Sequence, residues 1–348
     1  MISFCALWLS SMALLAQSDS SSLNEDDEQA GTSLTVIPRV DFNPSFSTGD
    51  GEGADVNWFT PTLYTVLEGN IGEHVSYYLS NHWLTYHPED LYKNTFHSDN
   101  SSWVDMANIN YDFNCGLSLG LGKYCMALGS FEEDADDWDA HSISNFGSTL
   151  ASSFWNGMMV YEWGLNVSYA FDDCNTLTAQ MLASPFAEKP FSPGLYSYHL
   201  QWRGEFDRLS ILASGNLLET RRGTYDYVIG TGLQYAFTDR LTGTLDALRY
   251  CDADRDGDDD QFFQLQATAQ YALSDKLDLT GRFGYETGES YSYGLGYGDD
   301  VFYGGVSANY YPLQNNRDLR LHATAAMHNQ YDEAWLTIGA TYFLSLDF

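Results

Sequence analysis

Three groups of side chains in this chain have the types and spacing to do chemistry. Glu132, Glu133, Asp134, Asp136, Asp137 and Asp139 crowd one short stretch, FEEDADDWD, and carboxylates at that density repel anions and attract cations. Asp252, Asp254, Asp256 and Gly257 reproduce the opening of a calcium loop, D-x-D-x-D-G, but the twelfth position, where a bidentate glutamate is required, is Phe263. Asp252, Asp254 and Asp256 therefore suit weak divalent binding at a surface, bridging lipopolysaccharide phosphates at most, and no cofactor is implied. Eight histidines are present. His74, His82, His199 and His322 could in principle serve a serine hydrolase of the kind some membrane barrels carry, yet none pairs with an activated serine, and the chain reads as a non-enzyme.

The elements that must position these groups follow from side-chain periodicity. In the last fifteen residues, AWLTIGATYFLSLDF, one face carries Leu336, Ile338, Ala340, Tyr342, Leu344, Leu346 and Phe348. The other carries Thr337, Gly339, Thr341, Ser345 and Asp347, with Phe343 as the only large apolar intruder. A period of two is that of a strand with one apolar side. The alternation starts at Leu34, where Leu34, Val36, Val40 and Phe42 oppose Arg39 and Asp41, and it recurs to the end. Trp163, Leu165, Val167 and Tyr169 oppose Glu162, Gly164, Asn166 and Ser168, and Phe263, Leu265, Ala267 and Ala269 oppose Gln264, Gln266, Thr268 and Gln270. Sixteen such strands of about ten residues can be counted, joined alternately by long loops and short turns.

That asymmetry, with an even strand number and a second face made of Ser, Thr, Asn, Gln, Gly and a few charges, predicts an all-β protein: one 16-stranded antiparallel transmembrane β-barrel around a hydrated lumen. A soluble sandwich would bury both apolar faces against each other and would not need long acidic loops at every second connection. The 25 tyrosines, 20 phenylalanines and 9 tryptophans suit interface girdles. No stretch is long and apolar enough for a spanning helix, so insertion has to use strands. A net charge of −33, from 15 basic against 48 acidic residues, makes nucleic acid an improbable partner.

Residues 1–16 have the length and apolarity of a signal-peptide core, and the lack of a lysine or arginine before them is consistent with a start inside a longer signal. Residues 17–33, with Glu25, Asp26, Asp27 and Glu28, read as a flexible acidic leader, and 34–348 as the barrel. The longest connection, 127–156, follows the fifth strand. Cys115, Cys125, Cys174 and Cys251 lack metal-ligand spacing. Cys115 and Cys174 fall in neighbouring short turns, where a disulfide and free thiols are both open.

With these features on the page, the chain resembles a bacterial outer-membrane porin, and more narrowly the phosphate-selective porin O and P family as found in Bacteroidota. The resemblance rests on the strand count, on SLGLGKYCMALGSFEED (Ser118 to Asp134), on YEWGLNVSYAF (Tyr161 to Phe171) and on the terminal phenylalanine. It implies a homotrimer in the outer membrane of a Gram-negative bacterium, surrounded by lipid and lipopolysaccharide. It also implies passive ion and solute transport, with the third outside loop, 127–156 here, folded into the pore. The ending on Tyr342 and Phe348 resembles the signal read by the barrel assembly machinery.

Family phosphate selectivity depends on lumenal arginines and constriction lysines, and the sequence departs from that pattern. Parity turns Arg39, Arg203, Arg282 and Arg320 inward together with Asp41, Glu162, Asp246 and Asp278, and the loop holding Glu132 to Asp139 is acidic. The reading is a general pore for small polar solutes, with phosphate selectivity disfavoured. The competing reading is a non-conducting barrel that serves as an adhesin or structural anchor.

Overall fold

The structure, a computed structural model, describes residues 31–47, 55–84, 104–131, 161–187, 194–251, 261–290, 295–296, 300–313, 316–328 and 333–348. Its strands run in chain order as β1 (Thr32–Ser47), β2 (Asp55–Ile71), β3 (Val75–Leu84), β4 (Val104–Asp112), β5 (Leu117–Cys125) and β6 (Tyr161–Ala170). They continue as β7 (Asn175–Ala183), β8 (Tyr196–Phe206), β9 (Leu209–Arg221), β10 (Thr224–Thr238), β11 (Leu241–Cys251) and β12 (Gln261–Ser274). The last are β13 (Leu277–Ser290), β14 (Leu295–Gly296), β15 (Val301–Tyr310), β16 (Leu319–His328), β17 (Glu333–Tyr342) and β18 (Leu344–Asp347).

β14 is only a two-residue ladder on β13, and β17 and β18 are one stave broken at Phe343, so the wall has sixteen antiparallel staves. Each stave pairs with its chain neighbours, and the last pairs back onto the first. Arg39 lies opposite Thr341, Phe42 opposite Ile338 and Leu34 opposite Leu346. The Phe348 amide donates to the Thr32 carbonyl at 2.8 Å. Closure removes the sheet edge that hydrocarbon cannot solvate.

The two faces of the wall differ as the alternation requires. Outward positions are exposed and apolar, with Leu121 at 67% and Val306 at 63%, whereas inward neighbours such as Gly120 and Ser307 are buried. Aromatic pairs two residues apart mark the turn end of the outer surface: Tyr111 with Phe113, Tyr169 with Phe171 and Tyr235 with Phe237, at centroid distances of 4.8, 5.0 and 5.0 Å. Amphipathic rings at this level suit the boundary between hydrocarbon and headgroups. No described helix is long and apolar enough to cross a membrane.

Tight turns cap the same end. Asp207 takes the left-handed conformation at φ 51° between β8 and β9, where aspartate is tolerated. Asp172 accepts from the Asn175 side chain at 2.9 Å and the Cys174 amide at 2.8 Å, which holds its carboxyl below the usual carboxylate range.

One expectation needs correction. The strands are longer than about ten residues in several places, reaching 17 in β2 and 15 in β10. β9 and β10 extend until only Arg222 and Gly223 join them, with Gly223 at φ 82°. β13 likewise continues to Ser290 and pairs with Leu295 and Gly296.

Candidate functional site: the lumen

The inward face is polar at mid-wall, and its charges are paired in register. Arg39 on β1 lies between Thr62 on β2 and Thr341 on β17, and Thr341 in turn lies opposite Arg320 on β16. In the next inward row Asp41, Gly339, His322 and Asn309 follow one another across β1, β17, β16 and β15. Asp41 is held from both sides, by Arg39 at 2.7 Å and by His322 Nε2 at 2.7 Å. The contact between Asp41 and His322 passes over Gly339, where any side chain would overlap the Asp41 carboxylate and the His322 ring. The Arg320 guanidinium sits 5.4 Å from the centroid of the Phe343 ring. Phe343, the intruder in the final strand, therefore points inward and packs against the cluster of Ile37, Tyr64 and Val66 near the turn end.

The other predicted lumenal charges lie elsewhere on the inner surface. Arg282 donates to Thr268 Oγ1 at 3.1 Å, and Asp278 pairs with Arg317 at 2.7 Å near the turn end. Glu162 is buried at the loop end of β6, opposite Tyr124 in register. Lys123, His82 and Asp105 add to these charges. The Lys123 ammonium donates to the Val104 carbonyl at 2.6 Å, and His82 pairs with Asp105. Lys123 and Glu162 interact electrostatically, so this corner of the wall is a charge cluster rather than a single acid.

The third outer connection enters the lumen as soon as β5 ends. Met126 and Leu128 are buried, and the segment 126–131 runs along the inner side of β7 to β11. The Gln180 side chain on β7 accepts from the Ala127 amide at 3.0 Å. On β9, Ser214 Oγ donates to the Leu128 carbonyl, and the Asn216 amide approaches the same oxygen at 3.5 Å. On β11, Asp246 Oδ1 accepts from the Phe131 amide at 2.9 Å. The Arg203 guanidinium lies 5.9 Å from the Phe131 ring centroid. Arg203 and Asp246, both expected to face the lumen, thus both contact the segment 126–131.

Periodicity did not reveal the surroundings of that segment. Leu182, Leu218, Val228, Leu248, Tyr250 and Phe262 all turn inward at the loop end and form one apolar cluster with Met126 and Leu128. The upper lumen over these strands is therefore not the uniformly hydrated wall that the polar face suggested. Glu132, Glu133, Asp134, Asp136, Asp137, Asp139, Asp252, Asp254 and Asp256 lie outside the described residues. Cys115 and Cys174 are exposed free thiols, Cys125 is half-buried and Cys251 is buried. Among the described residues no cluster of His, Cys, Asp and Glu is arranged to hold a metal ion.

No protein-family model and no curated protein sequence matches the chain. Solved structures do. The chain is similar to an anion-selective porin from Comamonas acidovorans, with TM-score 0.63 and 11% identity over 91% of this chain and 100% of that one. It is similar to the outer membrane channel DcaP of Acinetobacter baumannii, with TM-score 0.59 and 12% identity over 91% and 99%. Outer-membrane expressed OmpT of Vibrio cholerae matches with TM-score 0.59 and 11% identity over 91% and 99%. At such identities the likeness establishes the fold: a closed antiparallel barrel of sixteen staves, the architecture of outer-membrane porins.

Proposed function

We propose that the protein is a porin of a Gram-negative outer membrane, through which small polar solutes diffuse passively. One observation carries the reading: a closed wall whose outward side chains are exposed and apolar, while the inward face holds Arg39, Asp41, Arg282, Arg320 and His322. Only a membrane rewards the first face, and only water or a polar solute rewards the second. The entry of residues 126–131 into the lumen supports a size limit set at that level.

The pore is a general one. A phosphate filter needs fixed positive charge to replace the water stripped from the anion. Here Arg39 already neutralises Asp41 and Arg203 lies against Phe131. The overall acidic balance also works against an anion. Assembly as a homotrimer in contact with lipopolysaccharide, after insertion by the barrel assembly machinery, completes the proposal. Liposomes containing the purified protein should swell in small uncharged sugars, and more slowly as the sugar grows. Proteoliposomes that swell no faster than protein-free ones would refute the pore and favour a structural or adhesive barrel.

A further inference from the structure

The contacts that seat residues 126–131 have a property that separates them from ordinary core packing. Beside the apolar packing of Met126 and Leu128, the hydrogen bonds from the wall are made to the backbone of the segment. Gln180 takes the Ala127 amide, Ser214 and Asn216 take the Leu128 carbonyl, and Asp246 takes the Phe131 amide. The opposing wall is cut away to receive that backbone. At Gly230 an added Cβ would overlap the Leu128 carbonyl oxygen, and at Gly232 it would come within 2.6 Å of Asp246 Oδ1 and 2.7 Å of the Phe131 ring. Both glycines lie on the inward face of β10, and neither has a positive φ, so their lack of a side chain serves clearance rather than backbone conformation.

A second tier holds the first. The Asn216 amide nitrogen donates to the Val228 carbonyl at 3.2 Å and to Ser214 Oγ at 3.1 Å, which leaves Oδ1 as the acceptor facing His199 Nδ1 at 2.9 Å. This orientation assigns the proton to Nδ1, and Nε2 lies 2.9 Å from the oxygen of Ser197, whose hydroxyl donates to the Ala183 carbonyl at 3.2 Å. His199, with 3% of its surface exposed, acts on the segment only through Asn216.

We infer that Ser214, Asn216 and Asp246 are positioning residues that clasp the backbone of residues 126–131 over the Gly230–Gly232 seat and thereby set the bore of the pore. Asp246 acts in this clasp as a hydrogen-bond acceptor, not as a selectivity charge. The inference rests on the pore reading and assigns the control of its size. Two properties of Asp246 are separable, because asparagine keeps an acceptor oxygen and loses the charge, whereas alanine loses both.

The test is single-channel recording in planar bilayers, with reversal potentials in a salt gradient, on the full chain and on Asp246→Asn, Asp246→Ala, Gly230→Val and the double variant Ser214→Ala with Asn216→Ala. Asp246→Asn should keep the wild-type step size and reversal potential. Asp246→Ala and Gly230→Val should give less uniform steps, larger by on the order of 1.5-fold or more as the bore widens. The folded fraction is read beforehand from heat-modifiable migration on gels. If Gly230→Val does not fold, the double variant, which adds no volume, carries the same expectation. A shift of reversal potential in Asp246→Asn equal to that in Asp246→Ala would overturn the assignment of Asp246. Wild-type steps in folded Gly230→Val or in the double variant would overturn the clasp. A wild-type protein that gives no steps would overturn the pore reading, and this inference with it.

Discussion

Leu165 and Asn166 are adjacent on β6 and have opposite surroundings: Leu165 is 51% exposed on the outer face and Asn166 is 4% exposed on the inner one. A soluble β-protein would tolerate a charge at the exposed position and resist one at the buried position. The barrel reverses this order at Leu165, since its exposure is to hydrocarbon. Tyr161 and Phe171 bracket the strand, ten residues apart, and at ~3.3 Å per residue they span about 33 Å along it. A tilt of ~40° reduces this to about 25 Å along the membrane normal, the height of an outer-membrane apolar band. Leu165 then lies within one residue of the midplane, where arginine on the lipid face costs roughly 2–4 kcal/mol. Since 1.4 kcal/mol is tenfold, Leu165→Arg should lower the folding equilibrium constant by about 30- to 700-fold. Asn166→Ala removes one lumenal amide and should cost only about 0–1 kcal/mol, within the range of a single hydrogen bond. Reversible urea unfolding in phospholipid vesicles, followed by tryptophan fluorescence, measures both. Equal costs, or a harmless Leu165→Arg beside a costly Asn166→Ala, would refute the assignment of the faces.

Gly339→Val should force the Asp41 carboxylate and the His322 ring apart and cost on the order of 1–3 kcal/mol, as for a buried hydrogen bond to a charged group; an unchanged urea midpoint would show that the row tolerates a side chain. Phe343→Ala removes the ring that Arg320 overlies and that packs on Ile37 and Tyr64, and should cost somewhat less than the roughly 3–5 kcal/mol of a fully buried phenylalanine, read by the same unfolding assay. Bulky maleimides should modify Cys115 and Cys174 quickly in the folded barrel and spare Cys251 until urea unfolds it, so equal rates at all three would contradict the described burial. The same reagent applied to intact cells should leave Cys115 and Cys174 unmodified until the outer membrane is opened, because both lie at the turn end of the wall, which a porin turns toward the periplasm.

The wall was legible in the sequence because lipid on one side and water on the other impose a period of two that nothing else overrides. Arg39, Asp41, Glu162, Asp246, Arg282 and Arg320 could be given a side by counting from their neighbours, and the final strand could be matched to the first. What alternation cannot express is a position where both faces are apolar. Leu182, Leu218, Val228 and Phe262 face inward at the loop end beside outward Met181, Leu217, Tyr227 and Phe263, so the inner apolar cluster gives no signal distinct from the outer belt. The seat of residues 126–131 was hidden for another reason. It is made by backbone groups against Gly230 and Gly232, and inward glycines in a strand read as weakness unless a close approach is suspected. The short hairpin at Arg222 and Gly223 was hidden by its own polarity, since Glu219, Thr220 and Arg221 are polar residues on strand positions of β9.

Conductance of the purified protein in a planar lipid bilayer tests the central claim most directly. The account predicts discrete, stepwise current increments as single barrels insert, persisting at low voltage and without a preference for phosphate over other small anions. Insertion of folded protein with no current steps at any voltage would contradict it.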